Sequence, residues 1–446
     1  MKKKGSSLTA AACFGLLVVI FILLHIAFTS LTDTIAFQEF RRWKLILGRT
    51  LSPLSKPAVG SIRCDRSHKK YDLCSVNGTT LLDPSALTLY ELDSTPPATS
   101  FTVRPYPRKT DKTAMSKVKD VTLTSTSSTA LCQVTHSSPA LVFSVDGYTG
   151  NFYHSFNEGI IPLFVTVNSV FPNQNITLVV TDSPDWWVQK YAELLSQITI
   201  HPIINTKTDQ AAHCFPSAIV GLISHGEMTV DPNRLPQPKT LVDFRAFLRK
   251  AYNNGSEPES WNRHRKSHKP RMVVVSRKGN VGRVMLNQNQ VVKAAEKVGF
   301  EVVVFEPSRK TSLNGAFRLI ENSNAMLGVH GAALTHSLFL RPGSILLQVV
   351  PIGTEWLART CFEQPAKAMG VEYMKYAIGV DESSLVEKYG RHSMVLRNPR
   401  GFANGNWSKV RVYLKAQNVK VDLVRFRHYL TMAYVKAKRF MEKEDY

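Results

Sequence analysis

The sequence of 446 residues contains no D-x-D triplet and no C-x-x-C pair, and acidic side chains are scarce in it. A D-x-D pair of carboxylates is a common way for an enzyme to hold a divalent cation against a pyrophosphate, and Asp182 and Asp185 have the wrong spacing to form one. No cysteine and histidine pair has the spacing of a zinc site either. We therefore expect neither a metal ion nor another cofactor.

The scarcity of acidic residues leaves the chain strongly basic. It has 56 lysines and arginines against 34 aspartates and glutamates, a formal net charge of +22 and a pI near 9.7. Such an excess attracts polyanions, which include nucleic acid, an acidic membrane surface, an acidic polysaccharide and the pyrophosphate of a nucleotide sugar. The cellular compartment decides among these partners.

An apolar run over residues 8–28 follows the basic residues Lys2, Lys3 and Lys4. At 1.5 Å per residue it spans roughly 30 Å, enough to cross the hydrocarbon core of a membrane. A cleavable signal peptide is the alternative, but its apolar region is usually about 7–15 residues long and ends at a small-residue site, which is missing here. Because basic flanks stay cytosolic, we predict a cytosolic tail (1–7), a signal-anchor helix (8–28) and a stem (29–61) of a single-pass type II membrane protein.

Sequons and cysteines agree with a luminal location for the rest of the chain. The N-x-S/T sequons, each a candidate glycosylation site, are at Asn77, Asn175, Asn254 and Asn406. Five of the six cysteines follow the anchor, where disulfides can persist. Because five is odd, at least one is unpaired or bonds another chain. The spacing of Cys64 and Cys74 suits a local loop closure, but the sequence leaves the pairing open.

Apolar strands alternate with amphipathic helices from residue 140 onward, which is typical of an α/β fold. The strand candidates are Ala140–Val145, Ile176–Val180, Ala218–Leu222, Arg271–Ser276, Glu301–Glu306, Ala325–Val329 and Ser344–Val350. Helix candidates include 152–170, 332–340 and 355–369, whereas residues 110–130 are expected to be an exposed edge or loop. We predict two Rossmann-like domains (62–262 and 263–415) and a C-terminal helix within 416–446. A ligand would lie in the cleft between the domains, at the carboxyl ends of the strands.

A basic loop directly follows the strand candidate that begins at residue 271. It contains Arg277, Lys278 and Arg283, together with Gly279 and Gly282. Cations at the carboxyl end of a parallel strand face the cleft, where guanidinium groups can bind phosphate oxygens. A solvated basic turn is the alternative, but the immediate succession of strand, glycines and cations favours phosphate binding.

A second segment of small residues follows the strand candidate 325–329. Gly331 and Ala332 allow backbone N–H groups to approach a phosphate at the start of a helix, and His330 can donate to the same anion. The alternative is tight strand and helix packing. We expect His336, one turn later, to be a packing or capping histidine.

His154 and Glu158 are four residues apart on a predicted helix that follows a strand, so they share a face near the cleft. A group transfer that inverts a sugar carbon needs a general base for the attacking hydroxyl, and histidine suits this role near neutral pH. A core or capping histidine is an equally good interpretation of the sequence.

Six blocks of the sequence, in this order, resemble plant glycosyltransferase family 61. They are the apolar anchor, residues 64–68 with 71–79, Arg104-Pro-Tyr-Pro-Arg108, Asn151-Phe-Tyr-His154, Ser276-Arg-Lys-Gly279 and Val329-His-Gly-Ala-Ala-Leu334. The likeness spans nearly the whole region after the anchor. It implies a GT-B fold, an inverting and metal-independent transfer from a nucleotide sugar, and a Golgi location with the catalytic part in the lumen.

Within the family, the chain is most similar to grass members that decorate xylan, using UDP-xylose for β-1,2 links or UDP-arabinofuranose for α-1,3 links. The short stem favours the β-1,2-xylosyltransferase branch. The resemblance implies an acceptor-side N-terminal domain, a donor-binding C-terminal domain, and association with other xylan-synthesising glycosyltransferases. The implied contacts to the diphosphate come from Arg277, Lys278, Arg283, His330, Gly331 and Ala332, and those to ribose or sugar hydroxyls from Glu306 and Glu355.

Other classes of function compete with an enzyme. A non-catalytic Golgi scaffold would use the basic surface to retain partners that synthesise polysaccharide. Nucleic-acid binding fits the net charge of +22 but not the predicted anchor, so we expect no nucleic-acid partner. The donor pentose, the acceptor position and the oligomeric state are not determined by the sequence.

Overall fold

The structure of the chain is a computed structural model that describes residues 61–92, 100–125, 131–253, 269–279 and 281–444. The predicted tail and anchor, the stem up to residue 60, the predicted domain boundary at 262/263 and Asn254 lie outside these ranges. No helix within the described ranges is long and apolar enough to cross a membrane. All described residues belong to one compact unit.

The N-terminal half forms a mixed sheet, which has ten strands within the described ranges. These are β1 (Ser61–Asp65), β2 (Leu73–Asp83), β3 (Thr88–Glu91), β4 (Ser100–Val103), β5 (Val121–Ser125), β6 (Val134–Thr135), β7 (Ala140–Ser144), β8 (Thr177–Thr181), β9 (Ile204–Asn205) and β10 (His213–Val220). The order is β4-β5-β3-β2-β10-β7-β8-β9, with β1 on β2 and β6 on β10. β10, β7, β8 and β9 form a parallel run, and β6 with β10 and β3 with β5 are also parallel. The antiparallel pairing of β2 with β10, β3 and β1 makes the sheet mixed, unlike the mostly parallel sheet of a Rossmann-like domain.

The expectation of an exposed edge or loop over residues 110–130 is wrong for its described part. A short helix, Lys112–Met115, precedes β5, and β5 pairs with β4 on one side and β3 on the other. Val121 and Leu123 are buried, while Thr122 and Thr124, which alternate with them, are more exposed. This alternation is that of a strand with one covered face, which the high Ser, Thr and Lys content obscured.

The C-terminal half forms a five-stranded sheet whose strands all run parallel. Its strands are β11 (Arg271–Val275), β12 (Glu301–Phe305), β13 (Ala325–Val329), β14 (Ile345–Val350) and β15 (Glu372–Ala377). The order β12-β11-β13-β14-β15 reverses direction between β11 and β13. Since β11, β13 and β14 are buried throughout, their continuous apolar runs are explained and the prediction of a covered parallel sheet is confirmed here.

Six longer helices accompany the strands within the described ranges, and the last of them lies within the predicted 416–446. They are Ile161–Val170, Asp185–Leu195, Leu241–Tyr252, Gln288–Val298, Leu313–Glu321 and the C-terminal Leu423–Glu444. Two of the predicted helices are interrupted by wider π-helical turns, at Ser155–Ile160 and Arg359–Glu363. The predicted helix 332–340 is instead a tighter 3-10 helix, Ala332–Phe339. π-turns within α-helices are frequent at functional sites.

One apolar core joins the two sheets. Phe156 and Tyr252 from the N-terminal half pack against Phe339 of the C-terminal half, with ring centroids 6.4 and 6.0 Å apart. Arg245 crosses the same boundary, donating to the carbonyl of Leu340 at 2.6 Å and forming a buried ion pair with Glu321. The carboxyl ends of the two sheets are therefore held in a fixed relation.

Two disulfides close loops in the N-terminal half. Cys64 pairs with Cys74, directly opposite it on the β1 and β2 ladder, as the spacing suggested. Cys132 pairs with Cys214 across 82 residues. Cys361 is a free thiol.

Replacing Gly353 with alanine should destabilise the fold more than replacing Gly390. Both glycines have φ of +75°, where any Cβ is strained by about 1 kcal/mol. A Cβ on Gly353 would also lie 2.7 Å from the Tyr413 ring, whereas Gly390 has open space around it. Overpacking adds about 1–3 kcal/mol. Urea unfolding of the full chain in mild detergent measures the difference, and equal losses for the two variants would contradict the packing argument.

Candidate active site

The basic loop and the small-residue segment meet at the carboxyl ends of the strands of the C-terminal sheet, which we call the C-terminal sheet edge. Arg277 and Arg283 lie on the loop after β11, and His330 follows β13 directly. β11 and β13 are neighbours at the point where the strand order reverses. The loop after β11 and the segment after β13 therefore leave the sheet on opposite sides of one crevice. Nη1 of Arg283 donates to the carbonyl oxygen of His330 at 3.2 Å.

Gly331 allows the two guanidinium groups to approach the backbone. A Cβ at this position would overlap Nη1 of Arg277 and lie 3.4 Å from Nη1 of Arg283. Nε of Arg277 donates to the carbonyl oxygen of Gly282 at 3.3 Å, which holds the side chain across its own loop. A glycine is thus required where the arginines converge.

The two arginines have no acidic partner among the described residues. Burial lowers the pKa of Arg277, and burial followed by the charge of Arg277 lowers the pKa of Arg283 to about 10. Nε of Arg283 is buried without an acceptor. Two adjacent, half-buried cations without a counter-ion are unfavourable, and a bound anion with several oxygens would satisfy both.

His330 is a neutral hydrogen-bond donor at this site. Burial, then the charges of Arg283 and Arg277, lower its pKa to about 3. Its Nδ1 accepts from the side-chain amide of Gln348 at 2.9 Å, and Gln348 in turn accepts from the Tyr373 hydroxyl at 2.8 Å. This network assigns the ring proton to Nε2. No described residue forms a hydrogen bond with that nitrogen.

The other residues predicted to contact a donor lie at the same sheet edge but face solvent. Lys278 is exposed and pairs with Glu306 at 2.5 Å. Glu355 is exposed in the first turn of the helix Glu355–Ala358, after β14. Ala332 begins the 3-10 helix. Of the predicted set, the structure therefore brings together only the arginines, His330 and Gly331, with Ala332 adjoining.

A second polar cluster surrounds His154 and Glu158 on the N-terminal side. Nδ1 of His154 and Oε2 of Glu158 are 2.9 Å apart, and the Glu158 side chain is only 2% exposed. The other carboxylate oxygen accepts from Arg108 at 2.5 Å and from the Asn157 amide at 2.7 Å. The π-turn Ser155–Ile160 buries Asn157 and Glu158 together. Glu158 is thus fixed by three partners and orients the imidazole.

A second carboxylate, Glu227, adjoins this cluster. It accepts from Asn157 at 2.5 Å and from Lys70 at 2.9 Å. Burial alone would raise the pKa of Glu227, but the hydrogen bond and charge of Lys70, with Arg108 nearby, hold that pKa below its usual range. Asn157 therefore bridges two carboxylates, and the cations Lys70 and Arg108 balance their charge.

Tyr153 and Phe362 connect the two clusters. The Phe362 ring packs edge-on against His330 at 5.4 Å and against Tyr153 at 6.1 Å. The Tyr153 hydroxyl lies 3.4 Å from Glu227, and burial raises its pKa, so it stays a phenol. His336 stacks on Phe152 and is buried, so the interpretation as a packing histidine is confirmed.

Sequence reasoning missed Glu227, Lys70, Arg108 and Asp146. Asp146 follows β7, and burial with the charge of Asp182 raises its pKa to about 6. Arg108 belongs to a block that resembles the family, and this resemblance could have identified it as a candidate. Glu227 and Lys70 lie in loops, and no local pattern distinguishes them.

Within the described ranges, no group of three or more His, Cys, Asp or Glu side chains is arranged to hold a metal ion. Three of the sequon asparagines, Asn77, Asn175 and Asn406, are exposed. Their glycosylation stays a prediction, as do the roles of the donor-binding residues and of His154 and Glu158.

Pyrophosphate should raise the melting temperature of the full chain, and Arg277→Ala or Arg283→Ala should remove most of this shift. A charge-assisted hydrogen bond contributes about 1.5–3 kcal/mol, so we expect pyrophosphate to bind roughly tenfold to a hundredfold more weakly. Lys278→Ala is the matched control, because that side chain is exposed and already paired. An equal loss in all three variants, or no shift in the wild type, would contradict an anion site at the arginine pair.

Known proteins resemble this chain along most of its length. The glycosyltransferase 61 family matches residues 152–347. A xylan glycosyltransferase of Arabidopsis thaliana is 36% identical over 409 residues, which cover 87% of this chain and 82% of that protein. An alpha-1,3-arabinosyltransferase of Oryza sativa subsp. japonica is 35% identical over 374 residues, 83% of this chain and 64% of its own length.

A beta-1,2-xylosyltransferase of Oryza sativa subsp. japonica is 33% identical over 396 residues, covering 83% of each chain. The family match includes both segments that meet at the C-terminal sheet edge and the helix that carries His154. The chain therefore belongs to glycosyltransferase family 61 and is a glycosyltransferase.

Proposed function

We propose that this glycosyltransferase transfers a pentosyl group from a UDP-sugar to the xylan backbone, with inversion at the sugar carbon. The observation that carries the proposal is the arginine pair without a counter-ion, where the strand order of the parallel sheet reverses. The names of the relatives, which include a xylan glycosyltransferase, an arabinosyltransferase and a xylosyltransferase, support a pentose donor and a xylan acceptor.

In this proposal the fold is of the GT-B type. The C-terminal parallel sheet binds the nucleotide sugar, and the N-terminal sheet contributes the acceptor side. Such an arrangement is supported by the two polar clusters, which leave different sheets and are joined by Tyr153 and Phe362.

The diphosphate of the donor would lie against Arg277 and Arg283. When the bond between the sugar carbon and the UDP oxygen breaks, negative charge develops on that oxygen. Fixed guanidinium groups and the Nε2 proton of neutral His330 would stabilise this charge without having to reorient. Gly331 keeps the approach to the guanidiniums open.

His154 would act as the general base. The oxygen of the acceptor hydroxyl attacks the sugar carbon from the face opposite to UDP, and its proton passes to Nε2 of His154. Glu158 accepts a hydrogen bond from Nδ1–H of His154 and stabilises the imidazolium that forms, as the aspartate does in a serine protease triad. The contacts of Glu158 with Arg108 and Asn157 keep it from moving during the transfer.

The sugar and the location of the reaction are parts of the same proposal. We propose UDP-xylose and a β-1,2-xylosyl product, with UDP-arabinofuranose and an α-1,3-arabinofuranosyl product as the second candidate, which is supported by the 35% identical arabinosyltransferase. The enzyme would be anchored in the Golgi membrane with its active site in the lumen. The two disulfides favour an oxidising compartment of this kind.

Incubating the full chain with xylohexaose and UDP-xylose should give a product that is heavier by one xylosyl residue and carries a β-1,2 link. Mass spectrometry and linkage analysis measure this, with UDP-arabinofuranose and UDP-glucose in parallel reactions. Arg277→Ala should abolish transfer while leaving co-purifying partners in place. Transfer only from UDP-arabinofuranose would overturn the xylosyl assignment. Inactivity of the wild type with all donors would favour the non-catalytic scaffold.

His154→Ala should lower kcat by about 10²–10⁴, because a general base contributes that much to proton transfer. Glu158→Gln should lower kcat less, and the KM for the UDP-sugar should not change in either variant. Asp146→Asn is the control, since burial also gives that carboxyl a pKa suited to a base. Loss of kcat in Asp146→Asn but not in His154→Ala would reassign the base.

A further inference from the structure

Two tryptophans form an exposed aromatic pair beside the C-terminal sheet edge. Trp356 is 53% exposed and Trp407 is 55% exposed, whereas Trp187 is 1% exposed. Their ring centroids are 6.1 Å apart in an edge-to-face arrangement. Paired exposed indoles leave a large apolar surface in water, and such surfaces mark binding sites.

The pair is attached to the segments that build the donor side of the site. Trp356 is in the helical run that continues to Phe362, which contacts His330. The six-residue step from Trp356 to Phe362 corresponds to roughly 9 Å along a helix. The tryptophans are therefore close enough to the site to contact a substrate that extends beyond it.

Trp407 is attached through Gln417. It begins the helix Trp407–Arg411, and this run continues to residue 416. The side chain of Gln417 then bonds to both the N–H and the carbonyl of Ile352, 3.0 Å each, and its backbone carbonyl accepts from the N–H of Arg283. The two indoles are thus mounted on elements that are fixed to the loop of the arginine pair.

The chemistry of the surface fits a neutral sugar chain. The faces of an indole ring are apolar, and so are the C–H faces of a pyranose ring. A xylosyl unit has no exocyclic carbon and no charge, so it can lie flat on an indole. Exposed Glu355, next to Trp356, supplies a hydrogen-bond acceptor for hydroxyl groups at the edge of the pair.

We propose that Trp356 and Trp407 form a subsite for the acceptor chain, on which xylosyl units beyond the reacting one stack. This inference rests on the proposed function, because it takes the acceptor to be xylan. In this role, the tryptophan pair would make the enzyme prefer long acceptors to short ones.

Trp356→Ala and Trp407→Ala should each lower kcat/KM for xylohexaose about tenfold, mainly through KM, because each variant removes one of the two stacking rings. The same variants should leave kcat/KM for xylobiose and the KM for UDP-xylose unchanged. Trp356→Phe and Trp407→Phe should retain most of the activity on xylohexaose. Trp186→Ala is the matched control, because Trp186 is 46% exposed on a helix of the other sheet.

Three outcomes would overturn the subsite. They are an unchanged kcat/KM for xylohexaose, an equal loss on xylobiose, and an increase in the KM for UDP-xylose, which would assign the pair to the nucleotide base. An unchanged melting shift with pyrophosphate verifies that the variants are folded.

Affinity electrophoresis in gels that contain neutral xylan tests the subsite without catalysis. The His154→Ala chain should be retarded, and the retardation should be lost when Trp356→Ala or Trp407→Ala is added. Retardation without any transfer by the wild type would contradict the proposed function and keep the subsite. Transfer by the wild type without any retardation that depends on the tryptophans would support the proposed function and contradict the subsite.

Discussion

The structure depends on two like charges that it holds together without neutralising them. Arg277 and Arg283 converge on Gly331, and no carboxylate among the described residues lies against either guanidinium. Several other arginines of the described part differ, since Arg245, Arg271 and Arg425 each pair with a glutamate. The repulsion between the two guanidinium groups is unfavourable, and an anion bound beside them, as proposed, would relieve it.

The charged groups on the N-terminal side, in contrast, do have partners of opposite charge. There Glu158 and Glu227 each accept hydrogen bonds from a cation and from the shared amide of Asn157, and the cations hold the pKa of Glu227 below its usual range. In the proposed mechanism the substrate brings the negative charge that the arginine cluster lacks, and the glutamate cluster serves the proton transfer at His154. The two clusters leave different sheets that share one apolar core.

The sequence predicted the C-terminal half well because its signals are local. Each buried strand there is a continuous apolar run. Because β11 and β13 are neighbours in the sheet, the segments that follow them lie side by side. The N-terminal half was harder. Its strands β1 to β5 are short or lie among polar residues, and Lys70 meets Glu227 across 157 positions of the chain. The π-turn that buries Asn157 with Glu158 also has no distinctive sequence pattern. No local periodicity indicates which loop residues pair over a long range, so Glu227 could not be predicted from the sequence.

The disulfide between Cys132 and Cys214 encloses the strands β6 to β9 and the helix that carries His154 and Glu158. This part of the chain is consequently a covalent ring. A single cut by a protease anywhere between those two cysteines leaves both fragments attached, so a nicked enzyme would keep its proposed base and its carboxylate partner on the same molecule until the bond is reduced.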